Sequence, residues 1–551
     1  MLLIRNSAAA LCLSALILFS PLPSQACGGF FCTTVPINQA AEQIVFRQEE
    51  GKVTAMVRIL YSGNAEDFSW VVPVPSIPEI SLGANITFDE LDVATRPQFV
   101  LQREGEVCSS DQPLAFPESG ALASPDSAQE SGVTIEEEIT VGPFDIDIVS
   151  SDNPDDMSIW LEENGYFLED TGRGLIEPYV LAGMKFVALK LRSGESSGSI
   201  QPLIMRYDSE KPMVPIRLTA IAAEDDMGVL VWVVSNARAI PENYEHVTPN
   251  YTRLDWYSGS FNAFTSYQSL IADAMDESGG QGFATDYAGG ITDQIHSSLT
   301  DVARVEDNLA QLDTFSDDAE YLTNSIFITT DTSAALAGLQ AILPLPQGQD
   351  INLYFNPEQL RAIYTPDELR KARVDSRQAI VTRELEPIRN GVSLLPQGAY
   401  LTRLYTTLSA DEMTVDPTFN YNATMPEQPL LRQAQLTASC DNDVSRWSLT
   451  LGEGTGREGE KVLEVTGQPI PGTVLPVEFD AQPAAFLRQR TSADAEPELL
   501  FQADSSLLEI STASIEGNDD DDGFLGSAGI VWLLTGFLML CLRSVYRKNR
   551  Y

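Results

Sequence analysis

The sequence predicts an α+β protein: β-rich extracytoplasmic domains with a helical middle segment and one C-terminal transmembrane helix. Three observations predict it. Short runs of alternating apolar residues, such as 44–60 and 144–149, recur between Gly, Pro, Asn and Asp clusters. Between about 257 and 320 the apolar period lengthens to that of a helix. Residues 524–542 carry no charge, and Arg543, Arg547, Lys548 and Arg550 follow at once. At about 1.5 Å per residue that run spans roughly 28 Å, close to a bilayer core. A length of 551 residues suggests about three domains.

Each element has a local reason. Residues 1–26 read as a signal peptide: Arg5 precedes an apolar stretch from Ala8 to Phe19, and Ser24-Gln25-Ala26 leads into Cys27. An uncleaved anchor and a lipoprotein signal acylated at Cys27 are the rival readings. Residues 27–108 form a β-rich N-terminal region. In it, 44–60 is a hairpin about Glu49-Glu50-Gly51-Lys52, Phe68–Val72 is a strand stopped by Pro73, Pro75 and Pro78, and 88–96 is a short helix. Residues 109–133, rich in Ser, Pro, Gly and acids, are a flexible insertion. Residues 134–256 are an α+β region. It holds a strand at 144–149, a helix opened by Pro154 and ended by Asn164-Gly165, and strands Lys185–Leu191, Gln201–Tyr207 and Pro215–Ala222. The apolar run 229–234 is a buried strand. The helical region 257–320 contains Ala263–Asp276 and Thr292–Leu312, interrupted by loops at Gly279-Gly280, Gly282 and Gly289-Gly290. Residues 321–516 are mixed α+β, 517–523 an acidic tether, 524–542 the transmembrane helix and 543–551 a basic cytoplasmic tail. The positive-inside rule puts the bulk of the chain outside the cell membrane. A cleaved sorting signal, with Gly523, Gly526 and Gly529, is the other reading of this tail.

Charge narrows the partners. Lys+Arg is 34 against 79 Asp+Glu, a net −45. All of the acids lie between Cys27 and Leu542. Phosphate binding needs clustered cations, so nucleic acid is not an expected partner. The only histidines, His246 and His296, have no second His at metal-binding spacing and read as ordinary surface or capping residues. Asn518–Gly523 begins like a Ca²⁺ loop, but Gly529 stands where the last acidic ligand belongs. Gly194-Glu195-Ser196-Ser197-Gly198 lies in a polar turn and lacks the context of a nucleophile elbow. No Walker loop or dinucleotide fingerprint is present. No catalytic residue, metal ligand or cofactor is therefore assigned.

Arg58–Glu79 and Arg217–Glu242 share an echo, an acidic turn followed by Trp-Val-Val and Ile-Pro-Glu. Two related hairpins in two similar domains would explain it, and so would chance. Export would leave Cys27, Cys32, Cys108 and Cys440 outside the membrane as disulfide candidates, with three possible pairings. The short Cys27–Cys32 loop favours that pair and leaves Cys108 with Cys440.

The segment Cys27-Gly28-Gly29-Phe30-Phe31-Cys32 resembles the domain-of-unknown-function 2330 family of exported bacterial proteins. So do 68–75 with 95–97, 232–244, 279–289 and 401–417. The resemblance implies an extracytoplasmic protein, often anchored at its C-terminus, and no assigned activity. The expected function is a membrane-anchored cell-envelope binding or structural module with an unknown partner, rather than an enzyme. The alternative is an extracytoplasmic hydrolase using buried carboxylates. Gly282, Phe283, Tyr287 and Gly289 are weak candidates for a ligand loop, because glycine allows close backbone approach beside two aromatic rings.

Overall fold

Glu50 (φ 52°) and Gly51 (φ 76°) turn the chain between β1 (Asn38–Glu49) and β2 (Lys52–Ser62). Two successive left-handed residues give the tight turn that matches strand twist, and Glu49 faces Lys52 across it. The hairpin expected at 44–60 is thus present. The computed structural model describes residues 38–62, 68–105, 134–166, 170–193, 200–221, 223–257, 260–299, 301–329, 332–441, 444–466, 482–493, 495–504 and 507–511. The expected signal peptide, Cys27, Cys32, Cys108, the 109–133 insertion, the tether, the span and the tail lie outside these residues.

After the hairpin come β3 (Ser69–Val74), β4 (Glu79–Leu82), helix α1 (Asn85–Thr95) and β5 (Gln98–Gly105). Pro73 does not stop β3 as expected. β3 pairs only with β8 (Lys185–Leu191), where Pro73 faces Phe186, and an edge strand tolerates a residue without an N–H. Between them lie β6 (Thr134–Val141), β7 (Phe144–Ser150), α2 (Pro154–Glu163) and α3 (Asp170–Leu181). Asn153 caps α2 by accepting from the Asp155 N–H at 3.0 Å, and Gly165 (φ 70°) follows its end. Then come β9 (Leu203–Asp208), the one-turn α4 (Ile216–Thr219) and β10 (Ala223–Ser235). The strand expected at Pro215–Ala222 is this helical turn instead. The Asp416 carboxylate accepts from the Arg217 backbone N–H at 3.1 Å, satisfying a donor that a helix start leaves free.

The chain continues through β11 (Ala239–Pro241), β12 (Glu245–Pro249), α5 (Ser260–Asp276) and β13 (Gly282–Gly290). Seven further helices follow: α6 (Asp293–Ser298), α7 (Asp301–Leu312), α8 (Asp318–Ser325), α9 (Thr332–Ile342), α10 (Pro357–Ile363), α11 (Pro366–Ile380) and α12 (Glu386–Ser393). Helices therefore continue past 320 into the region expected to be mixed α+β, which holds both helices and strands. A capping box between Thr365 and Glu368 opens α11, and α7–α12 enclose their own core around Leu322, Tyr354 and Leu360. The chain returns to strands at β14 (Tyr400–Leu408), β15 (Phe419–Tyr421), β16 (Leu431–Asp441), β17 (Val444–Leu451), β18 (Lys461–Thr466), β19 (Ala485–Arg490), β20 (Glu498–Gln502) and β21 (Leu508–Ser511).

The main sheet has ten strands in the order β20-β19-β12-β13-β14-β10-β1-β2-β9-β4. Its strands come from every β-rich segment between 38 and 502, so the expected regions 27–108, 134–256 and 321–516 fold together. One face packs on the four-stranded sheet β3-β8-β7-β6 through Ile44, Phe46, Val57, Trp70, Val72 and Leu189. The alternate residues Val45, Met56 and Trp232 point the other way, onto Phe88 and Leu91 of α1. Helices α2 and α3 cover the far side of the small sheet. The third sheet, β21-β18-β17-β16-β5, packs with α5 against the β12–β13 end of the main sheet. No helix among the described residues is long and apolar enough to cross a membrane.

The Trp-Val-Val echo does not mark a repeat. Trp70 sits in β3 at the edge of the small sheet, whereas Trp232 sits in β10 between β1 and β14. Arg58 belongs to a strand and Arg217 to a helical turn.

Candidate functional site

β1 begins irregularly. Its register against β2 shifts between Gln39 and Glu42, and such a bulge re-aims the side chains that follow. Glu42 shares its strand face with Ile44 and Phe46, and all three line a pocket between the two facing sheets. Pairing with Val229 of β10 and Ile59 of β2 holds the Glu42 backbone on both sides. The pocket is small, with a cavity volume of about 30 Å³, and is partly open to solvent. Phe46, Trp70 and Tyr207 give it aromatic walls, and Val57, Val72 and Met205 aliphatic ones. Exposed Pro75 and the partly exposed Lys211, Met213 and Pro215 form the rim.

Glu42 is 6% exposed. Burial pushes its carboxyl up to about 7 from an ordinary 4.5, against a hydrogen bond from Thr219 that favours the ionised form. Its Oε2 is buried with no partner among the described residues. Lys211 does not supply one, because its Nζ donates to both carboxylate oxygens of Glu242, at 2.5 and 2.8 Å. An apolar cleft with a single poised polar group is the usual form of a small-molecule site. Among the described residues lining the pocket, Glu42 is the only acid.

A second buried polar group has the opposite character. Arg403 of β14 donates from Nε to Asp286 Oδ2 at 3.0 Å, and its Nη2 lies 2.7 Å from Asp92 Oδ1. Its Nη1 donates to Thr95 Oγ1 at 3.2 Å, and Trp232 Nε1 donates to the same hydroxyl at 2.9 Å. The other Asp286 oxygen accepts from Tyr267 OH at 2.5 Å. Arg432, fully buried, donates to Tyr251 OH at 3.0 Å and to the Asp286 carbonyl at 2.8 Å. Burial alone would raise the Asp92 carboxyl, but Arg403 and Arg96 outweigh it and hold the group below its ordinary range. This network ties α1, α5, β13, β14 and β16 together, with Arg403 paired to two carboxylates and Arg432 held by neutral acceptors.

His246 is buried rather than at the surface as expected. Its Nε2 lies 3.2 Å from Arg238 Nη2 and 3.2 Å from Thr285 Oγ1. Arginine only donates, so the ring accepts and is neutral. Burial, then the Arg238 charge, pushes the imidazole down to about 3. Among the described residues no group of three or more His, Cys, Asp or Glu could hold a metal ion.

Gly282, Phe283, Tyr287 and Gly289 do not form a loop. They belong to β13, an inner strand of the main sheet. A Cβ on Gly282 would lie 2.8 Å from Val247 and 2.9 Å from Met275, and one on Gly289 would lie 2.8 Å from the Tyr287 hydroxyl. Neighbouring side chains fill the space that the two glycines leave. Phe283 packs on Tyr244 and Phe419, and Tyr287 OH donates to the Gly290 carbonyl at 2.7 Å. Cys440 lies in β16. Sequence reasoning passed over Glu42 because a charged residue ends an apolar run. The usable signal was its parity with Ile44 and Phe46.

The fold and the pocket define an α+β protein with a small apolar cleft between two sheets. Residues 22–329, more than half of the chain, match the DUF2330 family, described as uncharacterized proteins conserved in bacteria. The chain belongs to that family. The matched stretch contains β1, β2, β3 and β9, hence the walls of the Glu42 pocket. No curated protein and no solved structure matches the chain.

Proposed function

We propose that this chain is a membrane-anchored extracytoplasmic binding protein whose exterior holds a small, largely apolar molecule in the Glu42 pocket. The observation that carries this reading is a buried carboxyl with an unpartnered oxygen at an apolar, aromatic-walled cleft. A protein retains such a costly group where the group does something. Anchoring through 524–542, with the bulk outside the cell membrane and the tail in the cytoplasm, is supported by the signal-like start and the basic end. A hydrolase built on paired carboxylates is less favoured, because the pocket presents one acid and not two.

The disulfide pairing Cys27–Cys32 with Cys108–Cys440 belongs to the same reading. The parallel register of β5 on β16 sets Gly105 opposite Ala438, three residues before Cys108 and two before Cys440. Cys440 already lies in β16, so a bridge there would need only a short continuation of β5.

Methyl-labelled methionine gives the test. Met205 and Met213 line the pocket, whereas Met157 and Met275 lie in other cores. In the full-length protein in nanodiscs, a panel of small apolar molecules should contain members that shift the first pair and leave the second unmoved. A panel in which none shifts Met205 or Met213 refutes the binding reading.

A further inference from the structure

Among the described residues, the edges of the three larger sheets are blunted everywhere but at β5. β4 and β21 are four residues long. β20 has five residues and a register shift against β19. β3 carries Pro73, and β6 carries Glu136, Glu137 and Glu138 and a register shift of its own. Short length, bulges, proline and charge are the ordinary means of keeping a sheet edge from taking another strand. β5 pairs with β16 without a shift from Gln98 to Gly105, and its residues 98–102 are uncharged. No described strand lies on its other side. We propose that this edge of β5 docks an extended peptide of a partner protein, which adds as a strand, with an apolar side chain in the cavity beside Phe99 and Leu101 and a carboxylate on Arg103. The site is separate from the Glu42 pocket and goes beyond the binding reading above.

Three observations set its chemistry. First, a cavity of about 230 Å³ lies along β5, touched by Phe99, Val100 and Leu101 of the strand, by Trp256 and Tyr257, and by Ala263 of α5. Successive side chains of a strand point to opposite faces, so a space touching Phe99, Val100 and Leu101 together runs beside the strand's edge. An apolar cavity of about 150 Å³ already holds benzene, so this one admits a side chain. Second, its apolar wall is built and fixed. Phe99 packs edge-on against Trp256 at 5.9 Å and on Tyr267 at 5.1 Å. Val100 is 40% exposed beside it. Third, exposed Arg103 also lines the cavity. Among the described residues its guanidinium has no carboxylate partner, although the chain holds 79 acids against 34 cations. Its Nη2 donates to the Tyr257 carbonyl at 3.2 Å, which holds the charge at the cavity. Leu101 and Arg103 stand two residues apart on one face of β5. A strand laid beside it has the same period, so the peptide's apolar residue and its carboxylate also stand two residues apart. Main-chain hydrogen bonds supply the affinity of such a complex, and the cavity and Arg103 its selectivity.

Two acetylated and amidated pentapeptides, Thr-Phe-Thr-Glu-Thr and the reversed Thr-Glu-Thr-Phe-Thr, are the probes and cover both strand directions. Each is added at about 1 mM, the weak end of specific binding, to the full-length protein in nanodiscs with labelled leucine and valine methyls. At least one should shift the Val100 and Leu101 methyls and leave Val187 and Leu360, which lie in other cores, unmoved. Lys in place of Glu should weaken binding about tenfold or more, the margin of a charge-assisted bond. N-methylation of the peptide backbone removes its donors and should abolish binding. Arg103→Gln should abolish the preference for Glu over Lys, and unmoved Val187 and Leu360 signals would show that the variant is folded. Silence toward both probes overturns the proposal. So do equal binding of the Glu and Lys peptides, a Glu preference that survives Arg103→Gln, and undiminished binding of the N-methylated peptide. Without peptide, Leu101 methyls that move in nanodiscs holding two copies rather than one would assign the edge to a second copy. Methyls that move on deletion of residues 110–132 would assign it to this chain itself. Either result also overturns the proposal. Met205 and Met213 report on the Glu42 pocket alone, so this proposal and the binding reading fail separately.

Discussion

Glu42→Gln should stabilise the protein in alkaline solution and do little in acid. Burial raises the Glu42 carboxyl from 4.5 to about 7. The folded protein therefore holds a proton that the unfolded chain has released, and folding becomes less favourable as pH rises between those values. Below 4.5 both states are protonated and the penalty is absent. Above about 7 both are ionised and the penalty is complete. At about 1.4 kcal/mol for each pH unit between the two values, the full penalty is about 3 kcal/mol. Glu42 is 6% exposed, so solvent screening takes little from it. The groups facing it are Thr219 of α4, Tyr207 of β9 and the paired Lys211 at the rim. Burial lifts Tyr207 far above this pH range, and none of these three groups alters the sign. The assay is urea denaturation of the two proteins across pH 4 to 8.5, roughly the window these values define, followed by near-ultraviolet circular dichroism. Other titrating groups are common to both proteins and cancel in the difference. The amide introduced by Glu42→Gln adds an offset independent of pH, so the slope of the difference is the measurement. A difference that stays flat across the window would refute the assignment of a buried, uncompensated carboxyl.

Asp286→Ala strips the acceptor from buried Arg403 and Tyr267. It should cost about 3–5 kcal/mol in the same denaturation assay, and a cost under about 1 kcal/mol would show the network to be dispensable. Gly105→Ala places a Cβ 1.8 Å from the Ala438 carbonyl oxygen at a φ of 93°, whereas Gly183→Ala, at 72°, meets nothing within 4 Å. The first should therefore destabilise by clearly more than the roughly 1–2 kcal/mol of left-handed strain expected for the second, and equal losses would contradict the β5–β16 packing. Cys108→Ser should leave Cys440 as a free thiol in non-reducing peptide maps, and a Cys440 that stays bridged to another partner rejects the proposed pairing. Protease added to intact spheroplasts should digest the bulk of the chain and spare a small C-terminal fragment, and protection of the whole chain would end the proposed topology.

Elements whose signals are local were readable in the sequence. The β1–β2 hairpin follows from two alternating runs about Glu50-Gly51, and α2 from Asn153 ahead of Pro154. Elements decided by distant contacts were not. β13 reads GFATDYAGG, three glycines and an aspartate, and looks like a loop. It becomes an inner strand because Asp286 is answered by Arg403, which is remote in sequence, and because the space at Gly282 and Gly289 is filled by Val247, Met275 and Tyr287. Hydrophobic patterning has no place for a buried polar residue whose partner is elsewhere in the chain. α4 is a similar case, since its β-branched residues suggest a strand until Asp416 supplies an acceptor at its start. The Pro73 error was one of context: proline ends inner strands but not edges, and nothing local marks β3 as an edge.

The two buried polar sites bear on function through the same physical rule. Removing a charge from water is costly, and the cost is recovered only by a well-placed partner of opposite sign. At Arg403 the partners are present: Asp286 and Asp92 answer the guanidinium, and Tyr267 and Thr95 complete the hydrogen bonding. Such a closed set fixes how β13, β14 and α1 meet, and it presents nothing to a ligand. At Glu42 the described residues supply no such partner, although Lys211 lines the same pocket and could have been turned inward. Its Nζ is instead taken by Glu242, which leaves the Glu42 carboxyl uncompensated. A carboxyl kept about 3 kcal/mol away from its relaxed state is a stability loss that substitution by an apolar residue would remove at once. The loss falls where two sheets face each other and aromatic rings line the gap.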